Sequence, residues 1–174
     1  MLEGLNDYIV IKMTDDFPNY THFDDLDIIC KDAEILAKNL LAHNTPSGVD
    51  RILVSQTGTG HIHLDYYIPT HNNLNLRFDL IDSFSYTKFQ VNGEYMDLVL
   101  DRKGIKVIDE KKVYIPRRVD DLVIRFLEWV EYPAKKKHQR YVKENLDSDM
   151  MDEFVSIILK NTTLIKEHMR DIIV

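Results

Sequence analysis

Phe23-Asp24-Asp25-Leu26-Asp27-Ile28-Ile29-Cys30 is the stretch on which the fold reading turns. Leu26, Ile28 and Cys30 fall on one side of an extended chain and Asp25, Asp27 and Ile29 on the other, the period of two expected of a half-buried strand. The two carboxylates then share a face, about 6.6 Å apart at roughly 3.3 Å rise per residue, with nothing between them to neutralise their repulsion. Such a pair calls for a cation. Mg²⁺ suits it, because this ion takes one or two protein carboxylates, keeps waters and fills its remaining positions with phosphate oxygens.

Working outward, Tyr8 to Met13 is a β-branched and aromatic run of strand length, and Asp15, Asp16, Pro18 and Asn19 break the chain after it. Beyond Cys30 the period changes: Ala33, Leu36, Ala37, Leu40 and Leu41 recur at helical spacing, with Asp32 as the N-cap and Asn44 to Gly48 as the stop. Arg51 to Ser55 reads as a strand. Gly58-Thr59-Gly60 then turns the chain into a further strand, His61 to Ile68, and Leu74 to Asp82 forms another, with Arg77, Asp79 and Ile81 opposite Leu76, Phe78 and Leu80. The simplest topology for these strands is an antiparallel meander. A third carboxylate on a neighbouring strand would complete a two-metal site, and Asp79, flanked by apolar residues, is the candidate, with Asp65 and Asp82 as fallbacks.

The second half reads differently. Asn92-Gly93 is a turn signal, Lys111 to Ile115 an edge strand closed by Pro116, and Val119, Leu122, Val123, Phe126, Leu127 and Val130 trace one face of a helix ended by Pro133. Two more helices are expected, Met150 to Leu159 and Leu164 to Ile173. A β-rich half followed by a helical one predicts an α+β fold.

The composition of the 174 residues, 44% apolar and 10% aromatic, supports a packed core and disfavours intrinsic disorder. A single cysteine, no apolar run of membrane-spanning length and no charged-then-apolar leader lead us to expect a cytoplasmic protein with no membrane partner. The net charge of −7 is unevenly spread: residues 1–101 carry 6 basic and 16 acidic side chains, whereas residues 102–143 carry 13 and 6. Within the basic segment, Arg117, Arg118, Lys135, Lys136 and Lys137 are candidates to face a polyphosphate. Nucleic-acid binding has little support, because the whole chain is acidic and no stacking aromatics are interleaved with the lysines.

The run His22 to Ile29, followed by a helix and later by Arg77-Phe78-Asp79-Leu80-Ile81, resembles the DNA polymerase β-like nucleotidyltransferase superfamily. There an apolar-Asp-x-Asp-apolar strand and a later apolar-acid-apolar strand supply three metal ligands. The resemblance covers about residues 8–82. It implies a nucleotidyltransferase-like α+β fold with a mixed or antiparallel sheet, and the β-rich-then-helical order of the chain puts that domain at residues 1–115 and a helical subdomain at 116–174. Carried over residue by residue, Asp25, Asp27 and Asp79 would bind Mg²⁺, and Asp79 would also activate the attacking hydroxyl. The implied reaction moves a nucleotidyl group from a nucleoside triphosphate to a small-molecule acceptor. Members usually place a Gly-Ser or Gly-Gly turn before the acidic pair, yet residues 14–24 contain no glycine, so Thr21 and His22 become the phosphate donors and the chain an atypical member. Two alternatives follow: a catalytically degenerate binding module, or a transferase using a CDP-linked donor, since the same acidic run is similar to that of LicD-like phosphocholine transferases.

Three other features carry less. His61-x-His63 lacks a third ligand at helical or Cys-x-x-Cys spacing and reads as an alternating strand pair rather than a zinc centre. Cys30, at the end of an apolar strand, reads as a buried inert thiol. Gly58-x-Gly60 precedes a strand, so it is a hairpin turn and not a phosphate loop.

Overall fold

A computed structural model of the chain describes residue 2 and residues 4–13, 25–43, 48–67 and 74–170. The chain packs as two compact units, Met1–Ser83 with Lys103–Ile115, and Phe84–Arg102 with Pro116–Val174. The fold is α+β with a mixed sheet.

The first unit is built on five strands, β1 (Tyr8–Val10), β2 (Asp25–Cys30), β3 (Arg51–Gly58), β4 (His61–Tyr67) and β5 (Leu74–Ile81), arranged in the order β1-β2-β5-β4-β3. The meander holds for β3, β4 and β5, which are antiparallel, but β5 lies beside β2 and runs parallel to it. The sheet is therefore the mixed one of the two forms expected, and only the simplest topology, an antiparallel meander throughout, is departed from. A parallel neighbour needs a crossover, and helix α1 (Ala33–His43) with the β3–β4 hairpin supplies it.

Helix α1 begins where its sequence says it should. Asp32 Oδ1 accepts the Ile35 N–H at 2.8 Å, and Asp82 Oδ2, arriving from the end of β5, accepts the Ala33 N–H at 3.0 Å. Two carboxylates thus meet donors at the positive end of the helix. Ala33, Leu36, Ala37 and Leu40 are buried against one face of the sheet, together with Tyr8, Val10, Leu26, Ile28, Cys30, Ile62, Leu64, Tyr66, Phe78 and Leu80. Alternate residues of β1, β2, β4 and β5 therefore lie in this core, and the intervening residues are committed to the opposite face. Gly60 is needed at the β3–β4 turn: its φ is +66°, and a Cβ there would overlap Asp82 Oδ1 and Ser83 Oγ.

A hairpin of β6 (Gly104–Ile108) and β7 (Lys111–Ile115) completes this unit. Its turn residues Asp109 and Glu110 both have positive φ, 48° and 65°, the conformation that matches strand twist in a two-residue hairpin. Strand β7 packs on β1, where Tyr8 and Tyr114 meet edge to face at 5.5 Å.

The second unit is helical: α2 (Gly93–Asp101), α3 (Arg118–Glu131), α4 (Lys136–Asn145), α5 (Ser148–Asn161) and a short 3₁₀ turn, Lys166–Met169. The amphipathic pattern places α3 at its centre, and Phe126 and Trp129 are core residues, as their spacing predicts. Two expectations change here, and one helix is added. Asn92-Gly93 is not a free turn but the start of α2, where the Asn92 side chain accepts the Glu94 N–H at 3.1 Å; the short acceptor that favours turns equally favours N-caps. The basic run is helical as α4, which buries only His138 and Val142, too narrow an apolar stripe to announce itself in the sequence. Of the expected helix at Leu164 to Ile173, the described residues show the 3₁₀ turn Lys166–Met169 with Arg170 helical after it, while Thr162 before it is extended and bridges to Val91; residues 171–173 lie outside the described residues.

Among the described residues, no helix is long and apolar enough to cross a membrane.

Candidate metal and phosphate site

Strand β2 turns Leu26 and Ile28 into the core, so Asp25 and Asp27 stand together on the other face. The parallel register pairs Asp25 with Arg77 and Asp27 with Asp79, and directly paired residues of adjacent strands point the same way. The antiparallel register continues the row, Arg77 to Asp65 and Asp79 to His63, with His61 two residues along β4. Asp25, Asp27 and Asp79, the three acids singled out from the sequence, therefore share one sheet face with His61, His63, Asp65 and Arg77.

The pair is not left with its repulsion unopposed, as the sequence suggests. Lys12 Nζ stands 3.0 Å from Asp27 Oδ1, and Arg77 Nε stands 4.0 Å from Asp25 Oδ1. Lys12 reaches its partner because the strand Tyr8 to Met13 stops at Val10: Lys12 adopts φ +53°, a left-handed conformation uncommon for a non-glycine residue, while the Ile11 N–H still donates to the Asp27 carbonyl at 3.0 Å. Arg77 grips Asp65 with two hydrogen bonds, Nε to Oδ1 at 2.6 Å and Nη2 to Oδ2 at 3.0 Å. The Asp65 hydrogen bonds raise the Arg77 pKa further, so it is a permanent cation. Asp65, 3% exposed, is thereby committed to Arg77, and Asp82 to the start of α1; neither fallback acid replaces Asp79.

Asp79 is met differently. Nε2 of His61 and Nε2 of His63 both approach its Oδ1, the latter at 3.3 Å. The two imidazoles lie edge to face at 5.3 Å, in nearly perpendicular planes. The hydrogen bond to Asp79 raises the His61 pKa, burial opposes it, and the charges of Asp79 and Asp27 add to the rise. The histidine pair thus has a carboxylate for company, which its sequence spacing does not reveal. Alternation places both imidazoles on one face, but only the β4–β5 register brings Asp79 between them.

Cys30 lies at the edge of this unit's core, its thiol directed at the Ile81 carbonyl at 3.7 Å. Burial, reinforced by the charges of Asp82 and Asp32, pushes its pKa up to about 12, so it carries no nucleophilic chemistry at neutral pH.

The basic candidates belong to the helical unit and have partners there. Arg117 bonds Asp120 at 2.9 Å and Glu153 at 2.9 Å; Arg118 donates to the Asn145 carbonyl at 2.9 Å; Lys135 pairs with Glu128. Lys136 and Lys137 form the exposed first turn of α4. Thr21 and His22 lie outside the described residues.

No protein-family model and no curated protein matches this chain. Among solved structures, an antigenic nucleotidyltransferase-like protein from Paracoccidioides brasiliensis is similar, with a TM-score of 0.46 and 17% identity over 91% of this chain and 71% of its own.

Proposed function

We propose that the polar face of the first unit's sheet is a Mg²⁺-dependent nucleotidyl-transfer site acting on a nucleoside triphosphate and a small acceptor hydroxyl or phosphate. The observation that supports this most is the register of β2 and β5, which sets Asp27 beside Asp79 with Asp25 on the same face. These residues fit the ion's chemistry: three carboxylates on one face, with Asp25 half-exposed. When bound there, Mg²⁺ supplies positive charge to the α-phosphate and lowers the pKa of the acceptor hydroxyl.

The remaining work falls to the protein's own groups. Asp79 takes the proton of the attacking hydroxyl, and the imidazoles of His61 and His63 hold its Oδ1 in place. Asp27 is anchored by strand backbone, with Leu26 and Ile28 buried on either side of it. Lys12, paired with Asp27, and Arg77, paired with Asp65, add fixed positive charge beside the carboxylates, where a phosphate oxygen would otherwise be repelled. The test is release of pyrophosphate from each nucleoside triphosphate with Mg²⁺ and a panel of small alcohols and phosphates. Turnover that is lost in Asp79→Asn supports the reading, and no turnover with any combination sinks it.

A second reading, a degenerate module that binds nucleotide without turnover, is favoured by one observation: Lys12 Nζ already sits on Asp27 at 3.0 Å, where a cation would bind. It predicts nucleotide binding that is indifferent to Mg²⁺.

A further inference from the structure

Asp27 is paired with Lys12 and Asp65 with Arg77, whereas Asp79 is met by two imidazoles, His61 and His63. Imidazole nitrogens are poor ligands for Mg²⁺, a hard ion that takes oxygen, but good ones for zinc and its neighbours in the first transition row. The coordinating atoms of His61, His63 and Asp79 all lie within 4.8 Å of one another. We propose that His61, His63 and Asp79 hold a divalent ion of the zinc class, a site chemically distinct from the carboxylate pair Asp25 and Asp27.

The geometry carries this in three steps. First, two ligands at i and i+2 on β4 and a third on β5, in register with one of them, come from three fixed points of a hydrogen-bonded ladder, so the donor set is pre-organised by backbone rather than by loops. Second, a tetrahedral ion with bonds of about 2.0–2.1 Å places its ligand atoms roughly 3.3 Å apart; His63 Nε2 lies 3.3 Å from Asp79 Oδ1, and His61 Nε2, which sits closer to the same oxygen, has to draw back to admit the ion. Third, the set is two histidines and one carboxylate, the three-ligand composition that leaves a fourth position for water or an oxygen of a substrate. The His61 side chain is 35% exposed, so the fourth position opens to solvent rather than into the core.

Asp79 is common to this proposal and the nucleotidyl-transfer reading, so the variants that separate them are His61→Gln and His63→Gln, which remove a zinc ligand, and Asp27→Asn, which touches the carboxylate pair alone. The experiment is titration of the full-length chain with Zn²⁺ by calorimetry and with Co²⁺ by visible absorption, for the parent, His61→Gln, His63→Gln and Asp27→Asn. The parent is expected to bind one equivalent, with the intense visible bands of tetrahedral cobalt. Each histidine variant should lose at least the roughly tenfold to hundredfold in affinity that removing even an outer-sphere partner costs. Asp27→Asn should keep the zinc site while losing Mg²⁺-dependent nucleotide binding. His61, the more exposed of the pair, provides a variant less dependent on packing should His63→Gln unfold. No stoichiometric uptake by the parent, or undiminished uptake by a folded His61→Gln chain, overturns the proposal.

Discussion

Asp27 and Asp79 are register partners across the parallel β2–β5 pair, and their side chains leave the sheet on the same face. Adjacent strands are about 4.8 Å apart, so two like charges are held closer than a Debye length at physiological salt, which is about 8 Å. The molecule answers this with a cation on one acid, Lys12, and imidazoles on the other.

Arg77→Met leaves Asp65 buried without the guanidinium that grips both of its oxygens. An uncompensated buried carboxylate is costly, and we expect a loss of about 3 kcal/mol in denaturant unfolding. The double variant Arg77→Met with Asp65→Leu should recover much of it, because the orphaned charge is gone. If the single variant is as stable as the parent, the pair is not sustaining the sheet.

Cys30 should resist alkylation in the folded protein at pH 8, since a thiol with a pKa near 12 has almost no thiolate there. Iodoacetamide labelling followed by mass spectrometry checks this, with a urea-unfolded sample as the reactive reference. Comparable labelling of the two samples would contradict the buried placement.

How much of this was legible from residues alone depends on the range over which each signal acts. The Asp25–Cys30 alternation and the Asp32 cap are local, and both appear in the structure as read. The α3 stripe is local too, and α3 lies at the centre of its unit. The parallel β2–β5 pairing was not legible, because alternation fixes which face a residue takes and says nothing of which strand lies alongside. For the same reason the His61, His63 and Asp79 group escaped notice: its third ligand is 16 residues along the chain from His63 and adjacent only through register. Lys12 was hidden differently. As a residue inside an assumed strand it had no reason to reach Asp27, and only its left-handed backbone lets it do so.

In the helical unit, Glu131 accepts the Thr87 N–H at 3.1 Å, the Lys88 N–H at 3.0 Å and the Thr87 hydroxyl. Burial alone would raise its pKa, but these hydrogen bonds and the Lys88 charge outweigh it and hold the carboxyl below the ordinary glutamate value of 4.5. A carboxyl depressed on folding contributes stability above its unfolded pKa and loses it as pH falls through the folded one. Melting temperature should therefore drop on acidification below the ordinary glutamate range, and Glu131→Gln should lower stability at pH 7 while making that drop shallower. An acid limb of unchanged slope in the variant would remove Glu131 from the account.

Gly60→Ala should destabilise by about 1–3 kcal/mol, because a side chain must adopt positive φ while displacing Asp82, the residue that receives the Ala33 N–H at the start of α1. Thermal unfolding reads the loss. A neutral outcome would mean that the turn rearranges freely and that Asp82 is not fixed by it.

The measurement that bears most directly on the central claim is the Mg²⁺ dependence of nucleotide stabilisation, parent against Asp27→Asn. A ligand present at 100 times its Kd adds about 2.7 kcal/mol to folding stability, a rise that differential scanning fluorimetry resolves. The account predicts that a nucleoside triphosphate with Mg²⁺ raises the melting temperature of the parent, that the nucleotide without Mg²⁺ does not, and that Asp27→Asn, folded by circular dichroism, shows no rise under either condition. An equal rise in both proteins, or a rise indifferent to Mg²⁺, would contradict it.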